Sequence, residues 1–126
     1  MTPKTQKIIN QLARQVVHLS QPIQVLAICS GGKIVGKQIN KFLKNKKIKS
    51  SYFEVWTNII DGKATIWKTD FKKKDYIGTI LLAEDVIWSG RSVNAAKRML
   101  QEIKKKKVYT AGILDCNHKA DFAVFR

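Results

Sequence analysis

Apolar residues recur along this chain with two different periods. Over residues 5–19, "TQKIINQLARQVVHL", Ile8, Ile9, Leu12, Val16 and Leu19 fall three or four apart behind Pro3 and predict an amphipathic helix. "IQVLAIC" at 23–29 is a short, β-branched apolar run that predicts a buried strand leading into the loop "SGGK". Helical spacing returns over 34–45, "IVGKQINKFLKN", through Ile34, Ile39, Phe42 and Leu43. "IKSSYFEVW" at 48–56 has a strand pattern, and Asp61-Gly62 in the charged stretch after it is a hairpin-turn signal. "TILLAED" at 79–85 predicts a second buried strand. "SVNAAKRMLQEIKKKK" at 92–107 predicts a helix with its bases in the last turn, where the helix dipole favours them. "VYTAGIL" (108–114) and "DFAVF" (121–125) close the chain as strands.

Strands that alternate with helices, and are apolar throughout rather than on one face, predict an α/β fold: a mainly parallel central sheet flanked by helices. No repeat or proline-rich linker interrupts the pattern, so residues 1–126 are expected to form a single domain. In such sheets the ligand sits beyond the carboxyl ends of the strands. Three loops fall there: 30–33, 84–92 and 115–119.

Composition narrows the class. An apolar share of 44% is that of a folded protein rather than a disordered tail. Cys29 and Cys116 have no metal-ligand spacing and are expected as plain thiols in a reducing, cytoplasmic setting. No run approaches membrane-spanning length, and no membrane partner is expected. The net charge of +15 is uneven: residues 1–53 carry ten Lys or Arg and no acid. This is either a solvated lysine-rich surface or a field that draws in polyanions, nucleic acid or a small phosphorylated substrate. The runs "KNKK" and "KKKK" suit diffuse, nonspecific attraction to nucleic acid, whereas bidentate phosphate readout calls for arginine.

The candidate chemistry lies in "TILLAEDVIWSGRS". Ser89 and Ser92 offer hydroxyls, Gly90 lets the backbone turn, and a helix starting near Ser92 presents free N–H groups, a combination suited to a phosphate monoester. By itself this is also an ordinary strand-to-helix turn with Ser92 as its cap. Glu84 and Asp85, side by side before it, would repel that phosphate unless they hold something else. A sugar diol or a magnesium ion bridging to phosphates fits them.

This segment resembles the phosphoribosyl-pyrophosphate motif of type I phosphoribosyltransferases: four apolar residues, two acids, two apolar residues, one variable position, then Ser/Thr-Gly-x-Ser/Thr. "VLAICSGGKIVGKQI" resembles the family's first strand and pyrophosphate loop, and "KADFAVF" its purine-stacking segment. The resemblance runs from about residue 23 to the C-terminus. It implies a homodimeric, Mg2+-dependent enzyme that transfers phosphoribose from phosphoribosyl pyrophosphate to a nitrogenous, purine-type base. Implied for the 5′-phosphate are Ser89, Gly90, Arg91 and Ser92, and for the pyrophosphate Ser30, Gly31, Gly32 and Lys33. Glu84 and Asp85 are implied for metal and ribose, with Lys33 as a third catalytic group, and Ile87, Trp88 and Phe122 for the base. Residues 57–76 correspond to the mobile loop over the site, and 115–126 to a reduced hood.

Two positions depart from the oxopurine pattern. Trp88 stands where an aspartate acid/base is usual, and Cys116 where a lysine reads the base's 6-oxygen. The phosphoribosyl half of the site is therefore more complete than the base half. That leaves two alternatives on the same fold: a non-catalytic sensor of phosphoribosyl pyrophosphate or a nucleotide, and an RNA-binding regulator. A dehydrogenase is excluded by the absence of G-x-G-x-x-G after the first strand.

Overall fold

The computed structural model describes residues 1–126. Helix α1 (Pro3–Val16) begins where the sequence supplies both start signals: Pro3 in the first turn, and Thr2, whose hydroxyl accepts the Thr5 N–H at 3.1 Å. Strand β1 (Ile23–Cys29) is buried at every residue, which is why its apolar run shows no alternation. Helix α2 (Gly32–Asn45) returns the chain to β2 (Ser50–Ile60), and β3 (Lys63–Thr69) turns back against β2. A 3-10 turn at Lys73–Asp75 leads into β4 (Thr79–Ile87), helix α3 (Arg91–Met99), β5 (Lys107–Asp115) and β6 (Phe122–Phe125).

One six-stranded sheet has the order β3-β2-β1-β4-β5-β6, parallel except for β3. Helices α1 and α2 cover one face, burying Leu12, Val16, Ile39 and Leu43 against Val25 and Leu81. Helix α3 covers the other, where Val93, Ala96 and Leu100 pack with Leu26, Ile28, Leu82 and Phe71. Strand β1 pairs with both β2 and β4, so the chain leaves β1 towards one edge and leaves β4 towards the other. At that switch point the two outgoing loops diverge and leave a crevice between them.

Two elements differ from the sequence expectation. Residues 57–76, expected as a loop over the site, are the end of β2, the turn at Asp61-Gly62, β3 and the 3-10 turn. The turn signal wins because Asp61 and Gly62 both take positive φ, 51° and 77°, and so let the strands pair from Ile60 with Lys63 onward. Helix α3 stops at Met99 rather than running to residue 107. Leu100 and Ile103 still reach the core, but the four lysines after them offer nothing to bury, and Lys105 turns the chain with a φ of 55°.

Candidate functional site

The loops leaving β1 and β4 touch. A Cβ added to Gly32 would lie 2.3 Å from the Ala83 carbonyl oxygen, so only glycine lets the start of α2 rest on β4 there. A Cβ on Gly31 would lie 3.1 Å from Glu84 Oε1 and 4.0 Å from Asp85 Oδ2. The 30–33 loop therefore lies directly on the acid pair. Strand β4 also changes its facing here. Leu81 and Ala83 pack on the α1–α2 side, whereas Ile80, Leu82 and Ile87 all pack on the α3 side. Strict alternation would send Ile87 to the opposite side, so the parity slips once in the stretch that holds the two acids.

Glu84 is mostly buried and Asp85 exposed. Burial pushes the Glu84 carboxyl up to about 7; the hydrogen bond from the Asp85 N–H, at 2.9 Å, opposes the rise, and the Asp85 charge adds to it. Glu84 also lines a cleft of about 160 Å3 with Trp88, Ser89, Gly90, Arg91 and Ser92. The α3 start is shaped by Gly90, at a φ of 79°, which is the cap in place of the expected Ser92. Ser89 Oγ accepts the Arg91 N–H at 3.4 Å. From the hairpin, Thr57 donates to Ser92 Oγ at 3.3 Å and Ile59 joins the wall. A larger groove, about 1050 Å3, lies between β3 and α3, but of the expected site residues only Arg91 reaches it.

Lys33, expected as the pyrophosphate-facing catalytic lysine of the 30–33 loop, has its side chain against β2. Its ammonium lies 3.9 Å from Glu54 Oε2 and 5.9 Å from the centre of the Trp56 ring, both on β2. Glu54 also accepts the Tyr52 hydroxyl at 2.8 Å and the Trp56 indole N–H at 3.2 Å. Burial alone would raise the Glu54 carboxyl; these donors, with Lys33 and Lys37, hold it below its ordinary value. Burial, with Glu54 next to it, pushes the Tyr52 hydroxyl up, and the same two causes push the Cys29 thiol up to about 11. Residues 52, 54 and 56 went unnoticed in the sequence. Their signal is the alternation of Tyr, Glu and Trp in "SYFEVWT".

The chain aligns over its full length with 85% of the purine phosphoribosyltransferase of Pyrococcus horikoshii Ot3, at a TM-score of 0.80 and 17% identity. It has the type I phosphoribosyltransferase fold. A hypoxanthine phosphoribosyltransferase from Staphylococcus aureus is similar at a TM-score of 0.74 and 16% identity, with 94% of this chain and 70% of that one covered. A hypoxanthine-guanine phosphoribosyltransferase from Bacillus anthracis str. 'Ames Ancestor' is similar at 0.75 and 21% identity, with 95% and 75% covered. No protein-family model matches the sequence, and no curated protein does.

Within this phosphoribosyltransferase fold the expected base contacts divide. Trp88 is 71% exposed at the mouth of the cleft, its carbonyl accepting the side-chain amide of Asn117. Ile87 lines the same cleft but shows little of itself there: it is 2% exposed, with Cδ1 2.7 Å from where a Gly112 Cβ would stand. Phe122 is half-buried and packs against other aromatic rings. Its ring meets His18 at 5.9 Å and Tyr109 at 6.0 Å, because β6 turns this side chain towards α1.

Asp115, also missed in the sequence, organises the loop beyond β5. Fully buried, it accepts the Lys119 and Ala120 N–H groups, each at 2.9 Å, and the Arg126 guanidinium at 2.9 Å. Burial would raise its carboxyl, yet those donors hold it below its ordinary value. Lys119 in turn lays its stem 3.6 Å from a Cβ position on Gly90, which ties this loop to the α3 start. No group of three or more His, Cys, Asp or Glu side chains converges anywhere in the chain. Nor is any helix long and apolar enough to cross a membrane.

Proposed function

We propose that this chain is a Mg2+-dependent phosphoribosyltransferase that moves phosphoribose from phosphoribosyl pyrophosphate to a purine-type base. One observation carries the reading: the 30–33 loop rests on the Glu84–Asp85 pair, which leads without a break into the serine-lined cleft at the start of α3. The sugar phosphate then has a place for each part. Ser89, Gly90, Arg91 and Ser92 receive the 5′-phosphate, with the α3 N-terminus adding its partial positive charge. Glu84 and Asp85 take the ribose hydroxyls, and the 30–33 loop meets the pyrophosphate through its Ser30, Gly31 and Gly32 amides.

The donor set fits magnesium. Mg2+ is content with one or two protein carboxylates and completes its shell with water and substrate phosphates, and two carboxylates are what the crevice offers. Glu84 and Asp85 would hold the ion, which when bound neutralises charge growing on the departing pyrophosphate. The chain's own residues orient the sugar. A nitrogen of the base bonds to C1 as the C1–O bond to pyrophosphate breaks, the electron pair leaving on that oxygen. Carboxylates beside the ring tolerate the positive charge that develops there. The base nitrogen gives up its proton to solvent, since Trp88 holds no proton acceptor.

Two of the three expected base contacts offer little to a base, Ile87 being 2% exposed and Phe122 packing on His18 and Tyr109, and this favours a second reading: a sensor that binds phosphoribosyl pyrophosphate without transferring it. Phosphoribosyl pyrophosphate with Mg2+ is expected to raise the melting temperature, and Asp85→Asn to remove most of the rise. No shift for the wild type at millimolar ligand would sink both readings. Base-dependent release of pyrophosphate across a panel of purines identifies the enzyme; binding without release identifies the sensor.

A further inference from the structure

Lys33 is the one charged side chain of the 30–33 loop, yet its ammonium faces a carboxylate rather than the crevice. That carboxylate is itself fixed. Strand β2 sets Tyr52, Glu54 and Trp56 on one face by its period of two, and the two aromatic donors grip both Glu54 oxygens. The Glu54 N–H is held by Asp70 Oδ1 at 2.8 Å, so strand and side chain are both anchored. Lys33 is the loose member of the group. It is 43% exposed, its contact of 3.9 Å is long for an ion pair, and a four-carbon lysine stem has many rotamers within reach. Its backbone is not loose: the Lys33 N–H is bonded to the Ser30 carbonyl at 3.2 Å.

We propose that Glu54 is a positioning residue that parks the Lys33 ammonium against Trp56 while the loop is empty, and competes with pyrophosphate for it. The inference rests on the phosphoribosyltransferase reading above. The sign follows from the chemistry. An anion reaching the 30–33 loop must draw the Lys33 side chain out of an ion pair, and a fixed negative charge beside the loop opposes that anion. Glutamine at position 54 keeps an acceptor for Tyr52 or Trp56 and removes the charge, so the loop stays in place while Lys33 is freed.

Two measurements test this. Calorimetry with inorganic pyrophosphate and Mg2+ is expected to show Glu54→Gln binding about two- to fivefold tighter than wild type, the scale of a partly exposed ion pair. The gain should be clearly smaller in the Lys33→Met background, where only the removed negative charge still helps the anion. An unchanged or weaker affinity in Glu54→Gln overturns the parking role. Wild-type protein that binds neither pyrophosphate nor phosphoribosyl pyrophosphate overturns the functional reading as well, and so the two failures are distinguishable. Without any ligand, the Glu54 carboxyl followed by carbon-detected NMR is expected to titrate at higher pH in Lys33→Met than in wild type. An unmoved midpoint means that the two side chains do not pair, and the proposal falls.

Discussion

Gly32 and Ala83 meet so closely that a methyl group on Gly32 would have to pass within 2.3 Å of the Ala83 carbonyl oxygen and 3.2 Å of its carbon. Both contacts are with backbone, which cannot swing aside as a long side chain would. Gly32→Ala must therefore lift the start of α2 from β4 and separate the 30–33 loop from the acid pair. A loss of about 2 kcal/mol or more in unfolding free energy is expected from overpacking of this kind. Urea denaturation measures it. Loss of ligand-induced stabilisation should accompany it.

Glu84 makes the protein's stability fall as the medium becomes less acidic. Its carboxyl sits at about 7 in the folded chain against an ordinary 4.5, so the folded state favours the protonated form. The contribution is complete below about 4.5 and is lost as the pH rises through 7. Glu84→Gln is therefore expected to stabilise the ligand-free protein by on the order of 1–3 kcal/mol at pH 8 and by little at pH 4.5. Melting curves across that range check the sign. If Glu84 holds Mg2+ as proposed, the ion needs the ionised carboxylate and its binding at pH 6.5 releases protons, which calorimetry in two buffers of different ionisation enthalpy would count.

Asp115 holds the loop beyond β5 through two backbone N–H groups and Arg126. Asp115→Ala leaves those donors without their acceptor and is expected to cost about 2–4 kcal/mol. Faster amide exchange should be confined at first to residues 116–121. Protection there equal to wild type would show that the loop is held by something else.

Trp88 gives the opposite pattern. With 71% of its surface already in solvent, Trp88→Ala is expected to change stability by less than about 0.5 kcal/mol. If the ring meets the base, the substitution raises the KM for base and leaves phosphoribosyl pyrophosphate binding intact. Paired steady-state kinetics and calorimetry separate the two effects.

The element pattern was largely legible in the sequence because it is local. β1 and β4 announce themselves as apolar runs, since a central parallel strand is buried on both faces. Helices α1 and α2 show their buried stripes three or four residues apart. Helix α3 was overextended because lysines and glutamines are good helix formers, and propensity continues past Met99 where burial ends. The turn at the start of α3 was legible too: an acid pair, an intervening apolar stretch and Ser-Gly-Arg-Ser are contiguous, so their spacing along the chain sets their spacing around one cleft.

What joins distant segments could not be read that way. Lys33 meets Glu54 only because β1 and β2 are neighbours in the sheet, and Phe122 turns to His18 only because β6 pairs with β5 beneath α1. The resemblance implies Ile87 as a base contact, and only the fold shows that one slip in the strand's alternation packs it with the α3-side core while it still lines the cleft.

The sequence by itself determined the central strands, the first two helices and the tight turn before α3, because hydrophobic period and backbone freedom act within a few residues. Only the tertiary structure decided which side chains face the crevice. That choice depends on strand order, on where α2 presses against β4, and on which carboxylate has donors within reach once water is excluded.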